Sequence, residues 1–185
     1  MPKEILPPTT ALYPIPSVMA SCGDIDGASN IITLAWAGTV ASDPPMIAIG
    51  VRPDRFSYNL IKQSGEFVIN LPDKEHVYAM DLCGVVSGRD GDKFVRAGLS
   101  RERAHKLKAP LIRECPVNIE CVVRHVYRAG SHDVFLGEVV AVHVDRERSE
   151  NGFVRPDEAV CYHARNYWSL GKPLGSHGYS LRDKE

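Results

Sequence analysis

The chain of 185 residues carries almost no charge of one sign in excess, since 22 basic against 23 acidic side chains leave a formal net charge of −1. That balance removes the basic footprint of a nucleic-acid or anionic-membrane binder, and neither partner is expected. No apolar run approaches the roughly 18 residues of a membrane helix, and no signal-peptide-like run or Asn-X-Ser/Thr sequon occurs. The five cysteines (Cys22, Cys83, Cys115, Cys121, Cys161) are odd in number and form no C-x-x-C pair. A disulfide framework and a zinc site therefore lack support, no metal is expected, and a reducing, cytoplasmic location is the natural expectation. Also missing are G-x-G-x-x-G, G-x-x-x-x-G-K-Ser/Thr, H-E-x-x-H and G-x-S-x-G, which disfavours dinucleotide folds, P-loop enzymes, zincins and α/β-hydrolases.

What is present is a composition 44% hydrophobic and 24% charged, enough for one domain that buries roughly 70% of its unfolded surface. Residues 1–16 hold Pro2, Pro7, Pro8, Pro14 and Pro16, which forbid a helix and imply an extended arm over the domain or a neighbour. The domain proper is expected over 17–175, with a polar tail over 176–185. Short runs at Val18–Ser21, Ile31–Trp36 and Met46–Val51 have strand length. Residues 55–64 space Phe56, Leu60 and Ile61 as a helix starting at Asp54 and ending before Gly65. Glu66–Leu71 reads as a buried strand and Lys74–Leu82 as a second helix. In Val117–Arg124, Val117, Ile119, Cys121 and Val123 alternate with Asn118, Glu120 and Arg124, the pattern of a half-buried strand with its polar face in water. The Ala129–Ser131 turn joins it to a strand over Val134–Val144. Many short strands without βαβ alternation predict a mainly β, α+β fold, a small antiparallel barrel with helical additions.

Three segments carry chemistry. Arg52, Arg55 and Ser57 surround the predicted helix start, where free N–H groups and guanidinium forks suit a phosphate; the plain alternative is that Asp54 caps the helix and pairs with the arginines. Ser87, Gly88 and Lys93 lie in a turn-rich segment that offers backbone donors and a point charge, or is simply a charged surface turn. Between Asn30 and Ser42, Thr33, Ala35, Trp36, Thr39 and Ser42 bring small and hydroxylic side chains among β-formers, where a planar ligand can approach the backbone, unless this is a strand and an ordinary turn. His132 opens the second hairpin strand; a lone histidine is more often structural than catalytic, so it is a candidate only if the other segments converge on it.

Taken jointly, Asn30–Pro72, Asp81–Phe94, Ala109–Cys121 and Gly130–Asp145 resemble, in order, the flavin reductase-like FMN-binding split-barrel family, nearest its flavoredoxin-type branch. Tyr167–Gly175 (YWSLGKPLG) also looks familial. The resemblance implies a homodimer of split barrels with non-covalent FMN between subunits. By that analogy Asn30, Thr33, Ala35, Trp36, Thr39 and Ser42 belong to the flavin-binding segment, and Arg52, Arg55 and Ser57 take the phosphate. Ser87, Gly88 and Lys93 form a second ligand-facing loop, and His132 is the histidine beside the flavin. Flavin performs the redox chemistry itself, so the protein need only hold it and leave one face open to NADH or NADPH. The expected activity is electron transfer from NAD(P)H through FMN to a flavin, ferric iron or a protein acceptor. Two alternatives share the site: a flavoredoxin-like carrier without nicotinamide activity, and a flavin-binding barrel without redox use.

Overall fold

The computed structural model describes residues 1–155 and 157–181; the end of the expected polar tail, residues 182–185, lies outside the described residues. The strands and helices are, in order, β1 (Ile15–Pro16), β2 (Val18–Gly23), β3 (Ser29–Leu34), β4 (Ala37–Ser42), β5 (Pro45–Val51), α1 (Phe56–Ser64), β6 (Glu66–Leu71), α2 (Val77–Val85), α3 (Lys93–Ala97), β7 (Arg101–Glu102), β8 (Leu111–Ile112), β9 (Val117–Ala129), β10 (His132–Val144), β11 (Ser149–Glu150), β12 (Phe153–Val154), β13 (Val160–His163) and β14 (Asn166–Ser169).

Seven strands form one antiparallel sheet in the order β3-β2-β6-β9-β10-β5-β4. Its two edge strands, β3 and β4, are consecutive in the chain and separated only by Ala35 and Trp36. A sheet whose opposite edges are joined by two residues must roll into a barrel, and Gly50 N–H donates to the Trp36 carbonyl (2.8 Å) where it does so. Inside the roll pack Ala20, Cys22, Leu34, Ile49, Phe67, Ile69 and Phe135, with Tyr58 and Ile61 of α1 closing one end. A second cluster lies outside the barrel wall, where Met80, Cys83 and Phe94 of α2 and α3 cover Met19 and Ile31. β2 is therefore buried on both faces, which explains why its sequence is apolar or small throughout rather than alternating.

The helix expected over 55–64 is α1, ended by Gly65 in the left-handed conformation (φ 71°). Its N-cap is Arg55, one residue after the expected Asp54, and no side chain caps it. The expected Lys74–Leu82 helix divides into a 3₁₀ turn, Lys74–His76, capped by the Asp73 carboxylate, and α2. The segment read as strand-then-turn between Asn30 and Ser42 is two strands, β3 and β4. The hairpin after it is longer than expected, 13 residues in each of β9 and β10.

The polar face of β9 is the clearest correction. Asn118 and Glu120 are buried, not solvated, because the chain between β7 and β8 folds over them. That stretch has few strand partners for its amides, and carboxylates take their place. Glu120 accepts from the N–H groups of His105, Lys106 and Leu107, and Glu66 from those of Lys108 and Ala109, all within 2.7–3.1 Å. Beside them Asn70 donates to the Met19 carbonyl and accepts from Ile112 N–H and Asn118 Nδ2, so this buried polar layer is satisfied. Burial alone would raise the Glu120 carboxyl, but hydrogen bonds from His143 and the loop amides outweigh it and hold it below the usual glutamate range.

Residues 1–14 contain no helix or strand, and Ile5, Leu6 and Leu12 stand exposed along them. Near its end the arm is tied down, where β1 joins the β13–β14 hairpin and Tyr13 packs against Tyr162 and His163. That hairpin includes part of the familial Tyr167–Gly175 stretch, and the Tyr167 hydroxyl donates to Asp81 of α2 (2.9 Å).

Candidate functional site

Along the bend between β3 and β4 runs an open groove of about 220 Å³, and a smaller pit of about 80 Å³ continues from it. Ile32, Arg55 and Gly84 line both, so the two form one continuous depression. The groove is walled by Thr33, Ala35, Trp36, Arg52, His132 and Tyr162. The pit is walled by Asn30, Ser57, Ser87, Gly88, Arg89 and Lys93, among others. Side chains from β3, the β5–α1 loop, α1, the α2–α3 loop, α3 and β10 thus converge; Arg55, Ser57 and Lys93 meet in the pit, while Arg52 lines the groove beside Arg55.

Each pit residue is placed by a definite contact. Asn30 Nδ2 donates to Ser57 Oγ (2.8 Å), and both side chains are buried. Lys93 is 4% exposed, and its Nζ donates to the carbonyls of Ile31 (2.9 Å) and Cys83 (2.7 Å), which leaves one of its three donors uncommitted. It is therefore a charge set into the wall at the first residue of α3, rather than part of an exposed turn. Burial pushes its ammonium below the usual lysine range. Gly88 is there because nothing larger fits: a Cβ would lie 2.5 Å from Asn30 Oδ1 and 2.5 Å from the Phe56 ring. Asp54 does not cap α1; its carboxylate pairs with Arg52 (3.1 Å) and, more loosely, with Arg55 (3.8 Å). The first N–H groups of α1 thus have no side-chain acceptor, the arrangement that suits an anion at a helix start.

In the groove, the Thr33 hydroxyl donates to the Met80 carbonyl (2.5 Å), so its role toward a ligand falls to its methyl and backbone. The Trp36 and His132 rings lie 6.2 Å apart, and the Ser131 hydroxyl sits 2.9 Å from His132 Nδ1. Burial, then the Arg52 and Arg55 charges, hold the His132 imidazole below its ordinary value, which favours the uncharged ring. Two candidates are not brought to this depression. Thr39 and Ser42 lie on β4, which leaves the bend along β5 with Thr39 opposite Ile47 and Ser42 opposite Pro45. Tyr162 and Arg89 escaped the sequence reading. Tyr162 lies in a C-terminal strand with no motif of its own, whereas Arg89 stood inside the Ser87–Gly91 turn and its charge could have been weighed there.

The fold and the site together define a rolled antiparallel barrel with an open groove at the bend between its edge strands and an adjoining pit lined by cationic side chains. Residues 10–171 match the Flavin reductase like domain family, and the chain belongs to it. It is 31% identical to the uncharacterized protein PYRAB12460 of Pyrococcus abyssi over 85% of this chain and 89% of that one. Among solved structures it is similar to the flavoredoxin of Desulfovibrio vulgaris (Miyazaki F), with a TM-score of 0.88 and 30% identity over 97% of this chain and 99% of the other. The flavoredoxin of Methanosarcina acetivorans superposes with a TM-score of 0.86 and 26% identity, over 97% of this chain and all of the other. These likenesses bear out the split-barrel fold and the family read from the sequence. Among the described residues no helix is long and apolar enough to cross a membrane, and no three metal-ligating side chains cluster.

Proposed function

We propose that the protein is an FMN-dependent oxidoreductase of the flavin reductase type, which accepts electrons from NAD(P)H and passes them to a flavin, ferric iron or a protein acceptor. The observation that carries this reading is the continuity of the groove with the pit. A planar ring system lies naturally against Thr33–Trp36, and a terminal phosphate reaches Arg55, Ser57, Lys93 and the uncapped start of α1. The donor set fits the group. Arg55, Arg89 and Lys93 line the pit with Asp54 as the acidic side chain among its described lining, Arg52 stands in the adjoining groove, and Gly88 lets its loop close tightly on Asn30 and Phe56. When bound, FMN supplies the hydride and single-electron chemistry.

This chain's residues do the rest. Arg52 and Arg55 attract the anion and fix the orientation of the ring, with guanidinium forks matched to phosphate oxygens. Lys93 adds a desolvated positive charge behind the pit. His132, its uncharged ring favoured beside Arg52 and Arg55, offers a ring nitrogen at the groove wall for orienting a nicotinamide or hydrogen-bonding the ring edge. The groove's open side admits a second planar reactant, and holding the two stacked is the main rate contribution asked of the protein.

A second copy is proposed to cover this open side. The exposed Ile5, Leu6 and Leu12 of the arm, and the position of Thr39 and Ser42 on β4 away from the groove of their own chain, support a homodimer in which those residues serve the interface. A cytoplasmic location accords with five unpaired cysteines, four of them buried. The absorbance spectrum of purified protein with FMN, before and after anaerobic addition of NADH or NADPH, tests the function. Flavin bands that bleach support the proposal, and protein that binds no flavin refutes it. The two flavoredoxin structures favour a second reading, a flavoredoxin-like electron carrier. That reading gains if flavin binds tightly but neither nicotinamide reduces it.

A further inference from the structure

The corner of the groove where Arg52 and His132 stand is the end of a ladder. β5 and β10 pair as far as Val51 opposite Asp133. Beyond that rung Arg52 turns into the β5–α1 loop, and His132 pairs with Ala129 across the hairpin without a β5 partner among the described residues. Side chains alternate along β10, so Asp133 shares a face with Phe135, which is fully buried in the barrel, and His132 lies on the opposite face, toward Trp36. A carboxylate at the edge of an apolar core needs a donor, and Tyr58 of α1 supplies it. Its hydroxyl donates to Asp133 Oδ2 (2.6 Å), while its ring, 8% exposed, meets the Phe135 ring edge-on with the centres 5.5 Å apart.

This bond closes a circuit. Arg55 N–H donates to the Arg52 carbonyl and Tyr58 N–H to the Arg55 carbonyl, both at 3.0 Å, so the chain is wound from Arg52 to Tyr58. The Tyr58 hydroxyl then returns to Asp133, which stands opposite Val51, the residue before Arg52. Arg52 and Arg55 lie on the circuit, and Ser57 and His132 are chain neighbours of Tyr58 and Asp133. The start of α1, which lines the pit, and the start of β10, which lines the groove, are thus joined by a side-chain hydrogen bond. We propose that Tyr58 and Asp133 are positioning residues: their hydrogen bond sets His132 against Arg52 and Arg55, so that a ligand spanning pit and groove meets all three together. The identity of that ligand rests on the flavin reading given above.

The test compares wild type with Tyr58→Phe, Asp133→Asn, Asp133→Ala and the double variant Tyr58→Phe/Asp133→Ala. A histidine NMR titration of the folded apoprotein reads His132, and fluorescence titrations read FMN and riboflavin affinity. Tyr58→Phe removes only the hydroxyl. It is expected to move the His132 pKa upward, as the ring leaves its partly buried place beside Arg52 and Arg55, and to weaken FMN about three- to tenfold, the worth of one hydrogen bond. Asp133→Ala acts in the same way, whereas Asp133→Asn still accepts from the phenol and stays within about twofold of wild type. The double variant is no weaker than the weaker single one, because both changes remove the same bond. The proposal is overturned if His132 titrates in Tyr58→Phe as it does in wild type, or if the losses add in the double variant. It is also overturned if Asp133→Asn loses as much as Asp133→Ala, which would make the charge and not the bond the cause. A lowered unfolding temperature with both readouts unmoved marks the bond as structural alone and overturns it too. Folded wild-type protein that binds no FMN overturns the flavin reading instead, and the His132 titration, which needs no ligand, still decides this proposal.

Discussion

Replacing Lys93 with methionine separates the pit's electrostatics from its architecture, because the two side chains are similar in length and differ in charge. In the protein the ammonium is nearly sealed from water and donates to two main-chain carbonyls, those of Ile31 and Cys83. Removing it leaves both carbonyls without this donor, at about 1–3 kcal/mol each. Against that, the variant no longer buries a charge, whose desolvation opposes folding by several kcal/mol. These contributions nearly cancel, so the apoprotein's stability should move by no more than about 2 kcal/mol in either direction. FMN affinity has no such compensation: losing one charged donor at the phosphate should weaken it by about 1.5–3 kcal/mol, roughly ten- to a hundredfold. Riboflavin affinity should stay near the wild-type value. Urea unfolding and fluorescence titration measure the two effects on the same preparation. The pH dependence adds a sign. Burial lowers the folded-state pKa of Lys93, so its penalty is present below that pKa and is relieved as pH rises from there to the ordinary lysine value. Wild-type stability should therefore gain an alkaline increment that the methionine variant lacks. If riboflavin and FMN affinities fall together, or FMN affinity does not fall, Lys93 is structural and the reasoning fails.

Other perturbations follow from the same geometry. Gly88→Ala places a methyl 2.5 Å from Asn30 and Phe56 and should destabilise the fold by about 1–3 kcal/mol while weakening FMN more than riboflavin; thermal unfolding and titration check both. Glu120→Gln removes the charge that holds three loop amides and His143, and should reduce stability by about 2–4 kcal/mol at neutral pH by denaturant unfolding. The Glu120 pKa is depressed in the fold, so its contribution is full above the usual glutamate value and is lost as pH falls through the folded one; the variant should lose this acid limb. Arg55→Gln should raise the His132 pKa toward, but not to, its ordinary value, because burial outweighs the arginine charges; a histidine NMR titration that shows no rise would refute the electrostatic account.

The sequence was most legible where one local rule decided the outcome. Gly65 after a helical stripe ended α1, and the Ala129–Ser131 turn between two apolar runs fixed the long hairpin. Arg52, Arg55 and Ser57 could be singled out from residue type and the predicted helix start, and Lys93 from its turn-rich segment, although the meeting of Arg55, Ser57 and Lys93 depends on the barrel. Illegible features all came from tertiary covering. The alternation in β9 predicts a solvated polar face, but Glu120 is buried because a distant loop uses its carboxylate in place of a strand neighbour. β4 was hidden because the run Ile31–Trp36 reads as one strand and the small residues after it as a turn, whereas Ala35 and Trp36 are the bend that lets the sheet roll into β4. Tyr162 carries no local signature, since only the packing of a C-terminal hairpin against β1 brings it to the groove.

A crystal structure of the protein soaked with FMN tests the central claim most directly. The account predicts the phosphate in the pit, within hydrogen-bond reach of Arg55, Ser57 and Lys93, and the ring system lying along Thr33–Trp36 beside His132. Flavin bound with its phosphate in solvent or in another cavity, with those side chains untouched, would contradict it.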